Sequence, residues 1–227
     1  MNDPVIGPAR GLPPRREHEG RTVVLAPLDA RLHAADLWAA VAGHDSLWDY
    51  MAYGPFADAE AFGLWLEGRA ELSDPFYFTV IDRGTGRAVG LVTLMEIRPA
   101  HGVVEVGNIV FSPALQRTCA ATEAIYLLAR HVFDDLGYRR FEWKCNAANA
   151  ASRRAAERFG FTFEGIFRQH MIVKGKNRDT AWFAMLDSEW PARKAAFESW
   201  LAPDNFDAAG RQRVPLAAFQ KKPQATI

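Results

Sequence analysis

A single α/β domain is what this sequence predicts. Three observations carry that expectation. Apolar runs of strand length are interleaved with segments of helical period across residues 21–201. One strand-like run ends in a tight loop that opens a long amphipathic helix, and no internal repeat divides the chain. At 227 residues and 49% apolar, the chain can build one sizeable core with terminal arms beside it.

Residues 1–20 are rich in Pro, Arg and Gly, with Pro13-Pro14-Arg15-Arg16 among them, and read as a flexible arm rather than a signal peptide. Residues 21–27 (RTVVLAP) form a short strand. Over 31–41, Leu32, Ala35, Leu37 and Trp38 recur at helical spacing, and Gly43 ends the helix. An aromatic connector, Leu47-Trp48-Asp49-Tyr50-Met51 and Tyr53-Gly54-Pro55-Phe56, leads to a second helix after Asp58 that uses Phe62, Trp65 and Leu66. Residues 76–81 and 88–97 are strands about the turn Arg83-Gly84-Thr85-Gly86. Residues 103–111 form another, apolar on both faces except at Glu105 and Asn108, which suits a central strand.

The clearest helical stripe is Ala121, Ala124, Ile125, Leu128, Ala129, Val132, Phe133 and Leu136, closed by Gly137. Residues 139–145 alternate with period two and place Phe141, Trp143 and Cys145 on one face. Asn149 is suited to cap a short helix that ends before Gly160. Residues 161–173 and 180–186 read as a long hairpin about Lys174-Gly175-Lys176-Asn177, and a last helix covers 189–201. Beyond Pro203 the composition turns polar, which predicts a loosely ordered tail over 202–227.

Lys+Arg 27 against Asp+Glu 27 leaves no broad cationic field for nucleic acid or an anionic membrane. Cys119 and Cys145 have no metal-ligand spacing; free thiols in a reducing cytoplasm, and no metal, are expected. No apolar run reaches membrane-spanning length, so a soluble cytoplasmic protein is expected.

The segment Gln116-Arg117-Thr118-Cys119-Ala120-Ala121-Thr122-Glu123-Ala124 joins strand to helix. Such a junction presents unpaired N–H groups and the positive end of a helix dipole, where a pyrophosphate binds. An ordinary junction with Thr118 as N-cap is the alternative.

Two later motifs narrow the choice. They are Asn149-Ala150-Ala151-Ser152, leading to Glu157-Arg158-Phe159-Gly160-Phe161, and Phe163-Glu164-Gly165 through Lys174-Gly175-Lys176-Asn177-Arg178-Asp179. With the loop, they make residues 21–201 resemble the GNAT superfamily of acetyl-CoA-dependent N-acetyltransferases, most closely its ribosomal-protein N-terminal acetyltransferase (RimJ/RimL-type) branch. The resemblance implies a GNAT-like acyl-CoA N-acyltransferase fold, a mixed central sheet flanked by helices, with acetyl-CoA as cofactor and coenzyme A as product. Residues 116–121 match the family's Q/R-x-x-G-x-G/A loop, with Cys119 at the first glycine and Ala121 at the second. Gln116, Arg117, Thr118, Cys119, Ala120 and Ala121 are thereby cofactor-binding candidates. Backbone amides bind phosphate whatever the side chain, and glycine is needed only for positive φ or close approach. Ile109, Val110 and Phe111, on the strand that splays from its neighbour in the resembled fold, are expected to hold the pantetheine arm. Asn149 and Ser152 complete that set.

Acetyl transfer to an amine needs a neutral amine, a polarised thioester carbonyl, a route for the proton and protonation of the leaving thiolate. Glu105, placed before Gln116 where several GNAT enzymes carry a catalytic glutamate, is the candidate base, and burial beside Val104 and Val106 would raise its pKa. The alternative is an ion pair with an arginine of the adjacent strand such as Arg98; Glu96 is a weaker substitute base. Ser152 is the candidate acid, or else a capping residue in the first turn. The tyrosine acid of many GNAT enzymes is absent, with Ala156 in its place, and the branch's hairpin glutamate is replaced by Met171 beside His170.

Trp48, Tyr50 and Tyr53, with Phe56, would line the acceptor pocket or pack the core. Arg117, Arg153 and Arg154 would reach coenzyme phosphates or stay solvated. Neutralising an α-amine at pH 7 costs about 1.4 kcal/mol, against about 4.6 for a lysine. With the branch resemblance, that points to a protein or peptide N-terminus as acceptor. A small-molecule amine (polyamine or aminoglycoside) and a non-catalytic acyl-CoA-binding regulatory module are the alternatives, and the hairpin and last helix leave a homodimer open.

Overall fold

The computed structural model describes residues 11–220. One eight-stranded sheet organises them, in the order β1-β2-β3-β4-β5-β6-β8-β7. β1 (His18–Glu19), β2 (Val23–Pro27), β3 (Phe76–Asp82), β4 (Ala88–Arg98) and β5 (Val103–Phe111) are antiparallel neighbours. β6 (Arg140–Asn146) returns parallel to β5 after the crossover helix α3 (Cys119–Arg130). The hairpin β7 (Thr162–Val173) and β8 (Lys176–Leu186) joins β6 through β8, so β7 is an edge that exposes Phe163, Ile166, Phe167, Met171 and Ile172. The sheet is mixed and both faces carry helices, as the resemblance implied.

α1 (Ala30–Val41) and α2 (Ala59–Ala70) cover one face, burying Leu37, Phe62 and Leu66 against Leu28, Tyr77, Leu91 and Val110. α3, α4 (Ala150–Arg158) and α5 (Trp190–Leu201) cover the other, over Val104, Val106, Phe141, Trp143 and Phe183. Side chains cap four of these helices, at Asp58, Thr118 and Asn149 where the sequence predicts. Asp29 caps α1, Asp58 α2, Thr118 α3 and Asn149 α4, each accepting from a backbone N–H of the first turn. α3 continues in a wider turn over His131–Asp135 and stops at Gly137, whose φ of 62° suits a residue without Cβ.

A bulge in β5 decides where its side chains go. Pairing with β4 slips between Leu91↔Val110 and Thr93↔Gly107, leaving Asn108 at φ 48°. Before the bulge, Val104 and Val106 face α3; after it, Val110 faces α1 and α2 instead. One extra residue thus inverts the alternation along a single strand. Pairing with β6 covers only Val103↔Arg140 to Val106↔Trp143, so from Gly107 onward β5 and β6 separate.

Residues 11–20 differ from the flexible arm expected of them. The Tyr138 hydroxyl donates to the Gly11 carbonyl at 2.8 Å, and Arg15 donates to the Ala70 carbonyl at 2.5 Å and lies over Phe76. Arg16 pairs with Asp135, and His18 in β1 is buried against Phe78 and His131. Hydrogen bonds, an ion pair and the aromatic side chains Phe76 and Phe78 of β3 anchor this polar stretch. Residues 203–220 also depart from the loose tail: Asn205 bridges the Trp200 and Val214 carbonyls, and Leu216 of α6 (Leu216–Phe219) is buried. The remainder of both arms, 1–10 and 221–227, lies outside the described residues. No helix among the described residues is long and apolar enough to cross a membrane.

The histidine pair gives the first testable consequence. Burial lowers the pKa of both, that of His18 to about 4, with the neighbouring charges of His131 and Arg16 adding to it for His18. The unfolded chain then binds more protons below the usual histidine value of 6.5. Stability falls as pH drops from about 6.5 towards about 4. Between pH 7 and pH 5 the loss from His18 alone is expected to be about 2 kcal/mol, measured by urea unfolding at the two pH values. His18→Phe should flatten that dependence; an unchanged slope would refute this account.

Candidate active site

Where β5 and β6 part, the cleft between them is bordered by the N-termini of α3 and α4, since each helix follows one of the two strands. On the α3 side, Leu115 is buried as an anchor, and the Gln116 side-chain amide donates to the Phe111 carbonyl at 2.9 Å. Arg117 takes φ 62°, which turns the chain into the helix, and Thr118 Oγ1 accepts from the Ala121 amide at 3.1 Å. The amides of Arg117, Cys119 and Ala120 have no acceptor among the described residues. They stand at the positive end of α3, an arrangement made for an anion.

Thr118 is therefore a cap as well as part of the loop, so the two sequence-level alternatives coincide. Cys119 is the first residue of α3 and does not have positive φ; the left-handed position falls on Arg117. The backbone conformation at 119 therefore does not call for glycine. Burial pushes the Cys119 thiol up, which leaves it unreactive.

On the α4 side, the Asn149 side chain accepts from the Ser152 amide at 3.0 Å, and Ser152 Oγ accepts from Trp143 Nε1 at 3.0 Å. Ser152 is a first-turn residue whose hydroxyl is also hydrogen-bonded to the Cys145 sulfur. Arg153 reaches the Ala147 carbonyl and lies over Phe163, and Arg154 is exposed.

Glu105 lies on the α1–α2 face of the sheet, opposite to Val104 and Val106, and is 6% exposed. Its partner is not Arg98. Lys144 of β6 places Nζ 2.9 Å from Glu105 Oε2, while Arg98 pairs with Glu142 at 2.7 Å. Burial raises the Glu105 carboxyl to about 7; Lys144 pulls it down, and Glu142 and Glu96 push it further up. Gly107 lies beneath this carboxylate, and a Cβ there would fall 2.3 Å from Met95 Sδ, so a side chain at 107 would displace the end of Met95. Lys144 and Glu142 were not singled out in the sequence. The period-two pattern of β6, with Phe141, Trp143 and Cys145 inward, was the signal that puts 142 and 144 on the Glu105 face.

The aromatic connector divides in two. Trp48, expected at the acceptor pocket, has its indole 2% exposed among Tyr53, Phe56, Phe62 and Trp65, so its side chain packs the core. Only its carbonyl is presented, accepting from Lys174 Nζ of the β7–β8 turn at 2.9 Å. Tyr53 donates to Asn108 Oδ1 at 3.0 Å, on the bulge itself, and burial pushes its phenol pKa up. Tyr50 is exposed, with its hydroxyl 3.4 Å from the Ala148 carbonyl across the cleft. His170 is engaged with Thr180 Oγ1 at 3.0 Å, Met171 is exposed and Glu96 lies at the surface.

The comparisons with known proteins agree with this fold. Residues 22–162 match the family model described as an acetyltransferase (GNAT) domain. A GCN5-related N-acetyltransferase from Brucella melitensis superposes with TM-score 0.92 at 50% identity, over 93% of this chain and 97% of that one. The Bacillus subtilis protein named "Putative ribosomal N-acetyltransferase YdaF" is 26% identical over 109 residues, 48% of this chain and 59% of its own length. The N-acetyltransferase YnaD of Bacillus subtilis is 27% identical over 157 residues, 67% of this chain and 89% of its own.

Proposed function

We propose, for a chain that belongs to the GNAT acetyltransferase family, that the acceptor is the α-amino group of a protein or peptide. The chain is an acetyl-CoA-dependent N-acetyltransferase. The observation that carries the acceptor assignment is the buried carboxyl of Glu105, raised to about 7 beside the open end of the β5–β6 cleft. A base of that strength is nearly matched to an α-ammonium of pKa about 8 and is over three units short of a lysine.

When bound, acetyl-CoA supplies the reactive thioester. The free amides of Arg117, Cys119 and Ala120 receive its pyrophosphate, and the stretch Ile109, Val110 and Phe111 of β5, beyond its pairing with β6, receives the pantetheine arm. Glu105 takes the proton from the acceptor nitrogen, and the Ser152 hydroxyl donates to the leaving sulfur. Tyr50 and Tyr53 border the acceptor, with the Trp48 carbonyl and Lys174 fastening the hairpin over them. A cytoplasmic enzyme without nucleic-acid or membrane partners completes this reading.

Release of free CoA across an acceptor panel tests it. Peptides with a free α-amine are expected to exceed N-blocked lysine peptides by at least about tenfold in kcat/KM. Preference for spermidine or an aminoglycoside would overturn the assignment of a peptide acceptor.

A further inference from the structure

Glu105 and Glu142 are register partners in the parallel β5–β6 pair, so two buried carboxylates stand side by side on one face of the sheet. Between them is one ammonium. Lys144 Nζ lies 2.9 Å from Glu105 Oε2 and 3.0 Å from Glu142 Oε2, with its side chain 10% exposed and the charge 4.2 Å from the Trp182 ring centroid. The two carboxylates are not equivalent. Glu142 also accepts from Arg98 and Arg140, each at 2.7 Å, and these bonds with Lys144 outweigh its burial and hold its carboxyl low. For Glu105, Lys144 is the only cation paired among the described residues.

We propose that Lys144 is a positioning residue for acetyl transfer, fixing the Glu105 carboxylate by one oxygen and keeping it ionised until the acceptor gives up its proton. This rests on Glu105 being the base. Burial beside Glu142 and Glu96 favours the neutral acid, which cannot accept a proton; the ammonium counters that. Sharing solves a second problem. Once Glu105 is protonated, a lysine paired to it alone would be a buried cation without a partner, which is costly. Lys144 keeps Glu142, and Glu142 keeps its two arginines, so the proton moves with no charge left stranded. The charged groups facing Glu105 are Lys144 and Glu142 of β6 and Glu96 of β4, with Arg98 of β4 held beyond Glu142.

The test is the pH dependence of kcat/KM in the full chain, with the best peptide acceptor and saturating acetyl-CoA. Wild type should show an acid limb near the Glu105 value of about 7. Lys144→Met should move that limb up by about one pH unit or more and lower the rate at pH 7 roughly tenfold, with activity recovering above the new limb. Lys144→Arg should restore the wild-type limb. Glu142→Gln removes a neighbouring anion and should move the limb down. Shifts of opposite sign in two variants are not produced by simple loss of structure. An unmoved limb in Lys144→Met, or loss by the same factor at every pH, overturns the proposal. If Glu105→Gln is inactive while Lys144→Met keeps the wild-type limb, only the role of Lys144 falls; if Glu105→Gln keeps full activity, the base assignment falls with it.

Discussion

Replacing Glu105 with glutamine is expected to lower kcat/KM by about 10²- to 10⁴-fold and to abolish the rise in rate through pH 7. Glutamine keeps the volume but cannot accept the acceptor's proton. The same substitution carries a stability signature of opposite sense. The folded-state pKa of Glu105 is raised from 4.5 to about 7, so the folded protein binds the proton more tightly than the unfolded chain. Stability therefore falls as pH rises from about 4.5 to about 7, because ionising this buried group is unfavourable. Glu105→Gln removes that cost, which is up to about 3 kcal/mol at pH 8 and absent near pH 4. Kinetics at pH 6, 7 and 8, with urea unfolding at pH 5 and 8, check both halves. A variant that loses activity and is equally destabilised at both pH values would mark Glu105 as structural. Gain in stability with loss of rate is what a base kept in an unfavourable place for its chemistry should show.

The sequence is legible here wherever one element carries its own information. The stripe from Ala121 to Leu136 announces α3 because eight apolar positions share one face; Asp58, Thr118 and Asn149 announce helix starts because a cap acts within one turn. The splay of β5 from β6 came with the family resemblance, and the register bears it out, ending at Val106↔Trp143. Pairings between elements were not legible. Arg98 and Lys144 are both two-dimensional neighbours of the Glu105 region, and only the parallel register decides that Lys144 reaches Glu105 while Arg98 takes Glu142. The bulge at Asn108 hides in a run whose composition reads as continuous strand. Cys119 illustrates a different gap: a family glycine is read by residue type, whereas the backbone places the left-handed turn two residues earlier, at Arg117.

Glu123 is the sharpest case, because the loop motif drew attention to its neighbours and not to it. Its carboxylate is 5% exposed and accepts from the backbone amides of Arg21, Thr22 and Val23 at 2.8, 2.6 and 3.1 Å, and from the Thr22 hydroxyl at 2.5 Å. Gly20 packs directly on it; a Cβ there would fall 2.7 Å from the carboxyl carbon. One side chain of α3 thus satisfies the donors at the start of β2, tying the segment that precedes the sheet to the helix that begins the loop. Glu123→Ala leaves those donors unpaired, the Val23 amide buried and the others part-buried, each costing about 1–3 kcal/mol in full and less where water enters. A net loss of about 3–5 kcal/mol is expected, lowering Tm by roughly 8–15 °C for a chain of this size. Glu123→Gln keeps one acceptor oxygen and should lose about half as much. Melting within about 2 °C of wild type for the alanine variant would refute this role. Glu123 lies one turn after Cys119, so the anchor holds the helix end whose free amides face the cleft. Loosening it should raise KM for acetyl-CoA more than it lowers kcat, since those amides bind and do not transfer protons.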